Sequence, residues 1–248
     1  SVKKLLSSTI IDEIYYFSGI SSVSYSHKFP EKTLYENTIG LINILESCRA
    51  IKRKIKIYNA SSSECFGSSL KKINEKSNFS PVSPYALSKV INSLLIKNYR
   101  DNLKIWAVNG YSFNHDSILR PKHFILKKIA NYLKSNKKKK LNIGNINIKR
   151  DWGLASEHIG FIYKIMQLRT PEDFVIGTGK SESLKSVINF YFKKYKIKQN
   201  NLKINKKYIR KNDIMFSKSD PRKIKKIFDR KPNSNAKIII DKMINGKF

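Results

Sequence analysis

At 248 residues the chain is long enough to bury a full core as one or two domains. Its 40% hydrophobic and 11% aromatic residues make a globular composition and exclude a disordered one. Fifty Lys and Arg against 18 Asp and Glu give a net charge of +32, an excess that attracts any polyanion, whether nucleic acid, anionic membrane or phosphorylated substrate.

The basic residues are spread along the chain, and lysine is abundant together with isoleucine and asparagine, which also have AT-rich codons. The charge is therefore read as compositional, and nucleic acid is set aside as a partner. The tetralysine run Lys137–Lys140 is the densest cluster and reads as a solvated helix end or loop. Cys48 and Cys65 make neither a disulfide framework nor a metal site, which fits a reducing, cytoplasmic compartment and predicts no metal. No run of about 18 apolar residues is present, so no spanning helix and no membrane partner are expected. The opening SVKKLLSST lacks the apolar stretch of a signal peptide. Because the chain starts with Ser1 rather than Met, it is expected to be a piece of something longer.

In chain order, residues 2–11 read as a short amphipathic helix, and DEIYYFSG (12–19) as a buried parallel strand ending in small residues. Leu34, Ile39, Leu41, Ile42, Ile44 and Leu45 give helix spacing over 31–53. KIKIYNASSSE (54–64) is a strand passing into a serine cluster. SPYALSKVINSLLIKNYRDN (83–102) is a long helix opened by Ser83 and Pro84, and IWAVNGYSFN (105–114) is a third strand. This alternation predicts an α/β fold, a doubly wound parallel sheet with ligands at the carboxyl ends of its strands. The serine cluster and the NHDS run (114–117) both lie at such ends. Further on, 124–134 and 183–195 read as helices, 172–179 as a strand and turn, and 220–228 as one or two helical turns within a lysine-rich tail.

Tyr85 and Lys89 are four residues apart on the long helix and so share one face. An ammonium beside a phenol, whose free pKa is near 10, favours the phenolate and allows proton exchange near neutrality. Alone this spacing says little. About 20 residues upstream, however, Ser61, Ser62 and Ser63 end a strand and precede Glu64. Hydroxyl, phenol and ammonium suit oxidation of a substrate alcohol, and the carboxylate adds acid–base chemistry beyond hydride transfer.

These residues sit in YNASSSECFG (58–67) and SPYALSK (83–89), followed by NGYSFNHDS (109–117), IGNINIKRDWG (143–153), PEDFVIGTG (171–179) and DPRK (220–223). With these ordered motifs the chain resembles the GDP-mannose 4,6-dehydratases of the extended short-chain dehydrogenase/reductase family, over nearly all its length. The resemblance implies a Rossmann-like sheet with a smaller mixed C-terminal substrate domain, divided as 1–115 for NADP and 116–248 mainly for the GDP-sugar, some of the latter returning to the sheet. It implies Ser62, Glu64, Tyr85 and Lys89 as catalytic residues. Phe17, Ser18, Gly19, Ile20, Ser21, Lys89, His115 and Arg120 would bind NADP, and Asn114, Lys128, Arg150 and Arg210 would hold GDP-mannose. A homo-oligomer, dimer or tetramer, is implied as well. The nearest alternatives are another extended-family sugar-nucleotide epimerase or reductase, and an inactive remnant.

Several positions depart from the family pattern. Its first strands and Gly-rich turn would precede residue 1, and no G-x-x-G-x-x-G occurs in these 248 residues. Tyr16, Ile20 and Ser22 stand where asparagine, glutamine and histidine are usual, and Lys32 replaces a tyrosine. In the loop after Asn114, Leu119, Pro121 and Lys122 replace arginine, glycine and glutamate. Ser62 takes a threonine position and keeps its hydroxyl.

Overall fold

The computed structural model describes residues 2–51, 53–135, 140–209 and 212–246. Elements follow in chain order as α1 (Val2–Ser8), β1 (Glu13–Tyr16), α2 (Val23–Lys28), α3 (Pro30–Ile51), β2 (Lys56–Ser62), α4 (Pro84–Leu103) and β3 (Ala107–Ser112). After these come β4 (Asn114–Asp116), α5 (Ile125–Lys134), β5 (Leu141–Ile143), β6 (Lys149–Arg150), β7 (Trp152–Leu154), α6 (Ala155–Met166) and β8 (Phe174–Ile176). The rest is β9 (Glu182–Ser183), α7 (Leu184–Lys194), β10 (Leu202–Ile204), α8 (Arg222–Phe228) and α9 (Ala236–Asn245).

The chain forms two compact units. Unit 1 takes 1–67, 74–112 and 160–175, and unit 2 takes 68–73, 113–159 and 176–248. Residues 160–175 group with the first unit and residues 68–73 with the second.

In unit 1 the sheet runs β1-β2-β3-β8, with β1, β2 and β3 parallel. All of β3 is buried, as a strand covered on both faces must be. Gly110 on β3 is required there, because a Cβ would collide with the hydroxyl of Tyr58 on β2. Helix α3 buries Leu41, Leu45 and Cys48, positions four and three apart, against Ile57, Ile96 and Ala107. Truncating Leu41 or Leu45 to alanine would cost about 2–5 kcal/mol through the cavity left behind. In unit 2, α5, α7 and α9 pool Leu126, Ile129, Leu133, Val187, Ile188, Tyr191, Ile239, Ile240 and Met243 into a second core.

Helix α1 stops at Ser8, three residues short of expectation, and the third predicted strand is split into β3 and β4. Helices α2, α6 and α9 were not anticipated. No helix among the described residues is long and apolar enough to cross a membrane, and no group of three or more potential metal ligands occurs among them. Lys137, Lys138 and Lys139 lie outside the described residues, so the reading of the tetralysine run is left at Lys140, which is exposed.

Candidate active site

The carboxyl end of β2 is shaped by its serines. Ser62 Oγ accepts from the Glu64 amide at 3.2 Å and so caps a one-turn 3-10 helix, Ser63–Phe66. Gly67 closes that turn at φ 63°, where any side chain would meet the Ser80 carbonyl. The turn bearing Glu64 is thus fixed at both ends.

Helix α4 is opened by Ser83, whose Oγ accepts from the Ala86 amide at 3.1 Å, with Pro84 in its first turn. Tyr85, Lys89 and Ser93 therefore recur at intervals of four along one face. That face lies against the end of β2. Lys89 Nζ donates to the Ala60 carbonyl at 2.8 Å, and the hydroxyls of Ser93 and Ser61 are 2.9 Å apart. The Lys89 ammonium stands 5.9 Å from the centre of the Tyr85 ring. Lys89 is only 6% exposed, and burial pushes its pKa down to about 8. Cys65, also buried here, has its thiol pushed up by burial to about 11, which makes it a packing residue rather than a nucleophile.

The loop after β1 carries the five residues expected to line a cofactor. Phe17, Ser18, Gly19 and Ser21 are exposed and Ile20 is half-buried. Gly19 has φ 126°, and a Cβ on it would sit 2.6 Å from Asn37 Oδ1. Asn37 is fully buried and clamps the loop. Its Oδ1 accepts from the Ile20 amide at 2.6 Å, and its Nδ2 donates to the Ile20 carbonyl at 3.1 Å and to Ser88 Oγ at 2.8 Å. Ser88 Oγ in turn donates to the Tyr85 carbonyl at 2.7 Å. One amide thus ties the loop to the helix that carries Tyr85 and Lys89.

The remaining expected residues belong to unit 2. Asn114 and His115 lie on β4, paired with β7. The His115 ring stacks on His158 at 4.8 Å, with Nδ1 against the Phe113 carbonyl at 2.8 Å, and burial lowers its pKa. Arg120 packs its guanidinium 3.5 Å over the Phe124 ring, with Nε 2.6 Å from Asp116. The Lys128 ammonium sits 4.1 Å from the Tyr208 ring centre. Arg150 is buried and ion-paired with Asp213 at 3.2 Å. Arg210 lies outside the described residues.

A family model described as GDP-mannose 4,6 dehydratase matches residues 1–243. The chain belongs to the GDP-mannose 4,6-dehydratase family. GDP-mannose 4,6 dehydratase 2 of Caenorhabditis elegans is 35% identical over 196 residues, 76% of this chain and 51% of the relative. GDP-mannose 4,6 dehydratase 1 of Arabidopsis thaliana is 35% identical over 188 residues, 73% and 52%. The chain spans about half the length of the curated relatives it matches. Among solved structures, DesIV, the dTDP-glucose 4,6-dehydratase of Streptomyces venezuelae with NAD and TYD bound, superposes with a TM-score of 0.86 at 18% identity, over 98% of this chain and 76% of that one. RMD from Pseudomonas aeruginosa complexed with NADPH gives 0.83 at 17% identity, over 94% and 80%. At those identities the likeness speaks for the fold, a Rossmann-type α/β fold.

Two carboxylates inside the family motifs carry structure that their spacing did not reveal. Asp151 of RDWG is fully buried and accepts from the amides of Thr178, Gly179 and Ser219 at 3.0, 2.9 and 3.1 Å, and from the hydroxyls of Thr178 and Ser219 at 2.6 and 2.5 Å. Asp173 of PEDFVI takes both arms of Arg100, at 2.6 and 3.3 Å, with the Asn109 amide at 2.9 Å. Asn37 was missed as well, although a polar residue at position i−4 from Leu41, on the apolar face of a helix, is a readable signal.

Proposed function

We propose that this chain carries the catalytic set of an NADP-dependent GDP-mannose 4,6-dehydratase, a lyase forming GDP-4-keto-6-deoxymannose. Family membership supports the reaction, and one observation supports the residues: Lys89 of α4 bonded to the backbone of β2 beside Ser62 and Glu64.

The residues present fit one end of a dinucleotide, a flat ring and its ribose. The exposed loop Phe17–Ser21 turns through a glycine at positive φ and has its backbone pinned by Asn37, so a flat group can rest on it without reorganising it. Lys89, one of whose protons is used on Ala60, keeps donors for a ribose. Bound there, NADP would supply a hydride acceptor for C4 and a hydride donor for C6 of the mannose. Ser62 bonds O4 while Tyr85 takes the O4 proton. The 4-ketone acidifies C5–H, which Glu64 removes as a base. The same carboxyl protonates the departing C6 hydroxyl, which leaves as water, and a proton returned to C5 completes the balance. No net oxidation results. Tyr85 draws on the neighbouring ammonium, which burial has made unusually ready to lose its proton above about pH 8.

In unit 2, Asn114, Lys128, Arg150 and Arg210 are assigned to the GDP-sugar, with His115 and Arg120 assigned to the cofactor. Arg120 and Arg150 would each have to share a guanidinium now held by Asp116 and Asp213. A cytoplasmic homo-oligomer is proposed for the assembly. The outer face of α4 supports it, with Leu87, Leu94 and Leu103 exposed beside a groove of about 540 Å³ lined by Ile91, Leu94 and Leu95.

Incubation with GDP-mannose and NADP⁺ tests the reaction. The 4-keto-6-deoxy product should form, and should vanish in Tyr85→Phe and in Glu64→Gln while GDP-mannose binding persists. Unchanged turnover in either variant contradicts the assigned roles.

A further inference from the structure

The charge is not shared evenly between the two units, although they are nearly equal in length. Unit 2 holds 34 of the 50 lysines and arginines but 8 of the 18 acidic residues, a net +26, which leaves +6 for unit 1. Uniform codon drift would load both alike. Moreover, most acids of unit 2 are turned inward. Asp151 is buried among backbone donors, Asp116 and Asp213 are held against arginines, Glu157 accepts from Ser234, and Glu182 accepts from the Ala236 amide.

No acid occurs between Asp116 and Asp151, nor between Glu182 and Asp213. The fold brings these two acid-free stretches together, because β5 pairs in parallel with β10, Leu141 opposite Leu202 and Ile143 opposite Ile204. Lys140 directly precedes β5, and Lys198 lies four residues before β10, ahead of the turn Gln199–Asn201; both are exposed. Lys203, Lys206 and Lys207, all exposed, lie on β10 and in the turn Lys206–Tyr208. Three-residue strands are about 10 Å long, roughly a Debye length, so the two groups of ammoniums add their potentials.

Within this lysine rim Ile204, Tyr208 and Ile209 are 45%, 54% and 45% exposed. That trio discriminates among polyanions. Single-stranded nucleic acid is held chiefly by bases stacking on free aromatic rings, whereas Tyr208 has the Lys128 ammonium 4.1 Å from its ring centre. An anionic bilayer surface buries such side chains at the acyl boundary while its headgroups take the ammoniums. Between 183 and 212 lysine also outnumbers arginine nine to one, which suits point-charge contact with headgroups rather than forked reading of bases. We propose that the β5–β10 edge of unit 2 is a docking surface for a membrane bearing anionic phospholipids, bound peripherally and reversibly.

The 248-residue chain should sediment with phosphatidylcholine vesicles that contain phosphatidylserine and remain in solution with phosphatidylcholine alone, at physiological salt. The triple change Lys203→Gln, Lys206→Gln and Lys207→Gln should lower partitioning on the order of 100-fold. An isoelectric control, Lys185→Gln, Lys225→Gln and Lys226→Gln, should leave it nearly unchanged. Ile204→Ser with Ile209→Ser should weaken binding without altering its salt dependence. Equal losses in the two triples would make the effect one of diffuse charge and overturn the proposal. So would absence of sedimentation, or an oligonucleotide bound more tightly than the vesicles through the same three lysines.

Discussion

The two units put their carboxylates to different uses. In unit 1 several stay near the surface beside lysine or arginine, as Asp101 does with Lys97 and Glu46 with Arg49, and Asp173 is the inward exception, held by Arg100 and the Asn109 amide. In unit 2 most are drawn inside to hold backbone, as Asp151 does, or to hold arginine, as Asp213 does, while Asp241 stays near the surface beside Lys194. One composition therefore yields a unit of net +6, in which burial and a backbone carbonyl set the Lys89 ammonium, and a unit of net +26 whose exterior is dominated by lysine. Counting charge along the chain hides this, because each unit is assembled from separate segments.

The sharpest way to break this contrast is to remove an inward carboxylate and an outward one. Asp151→Ala orphans three buried amides and two hydroxyls and should cost about 3–5 kcal/mol, read as a large drop in thermal midpoint. Asp101→Ala in unit 1 should leave the midpoint unchanged, and comparable losses at both positions would contradict the comparison. A second test concerns Lys89, a cation stored at a cost. Its folded pKa of about 8 lies below the unfolded value, so the unfolded chain holds more protons between about pH 8 and 10.4, and stability rises with pH across that window. The penalty is fully present below pH 8. Lys89→Met should therefore be the more stable protein at pH 7, by up to roughly 3 kcal/mol, with the advantage fading towards pH 10. A smaller effect is expected at Asn37. Asn37→Leu leaves the Ile20 amide unmade and should cost about 1–3 kcal/mol, weakening NADP binding more than GDP-mannose binding in calorimetric titrations.

Much of this was legible beforehand, for physical reasons. Ser83-Pro84 is a cap and a first-turn proline, and α4 begins there; strand alternation ending in serines placed β2 and its turn. Elsewhere the signal was present and passed over. In α6, His158, Phe161, Ile162 and Ile165 are buried at i, i+3, i+4 and i+7, but Gly160 and the polar start of the segment obscured the period. Helix α9 lay hidden in a tail read only as lysine-rich, although Asn235 caps it through the Ile238 amide at 3.0 Å. Asp151 was not readable at all, since its five donors come from residues 27 to 68 positions away. Long-range polar satisfaction leaves no local period.

The account depends most on Lys89 acting as a charged group beside Tyr85. Turnover of GDP-mannose should therefore be measured across pH 6 to 10 for the wild type and for Lys89→Arg. The account predicts a rate that falls as pH rises through about 8, where Lys89 loses its proton, and an alkaline limb displaced upward in the arginine variant. A profile flat through pH 8, or one that the substitution leaves in place, would contradict it.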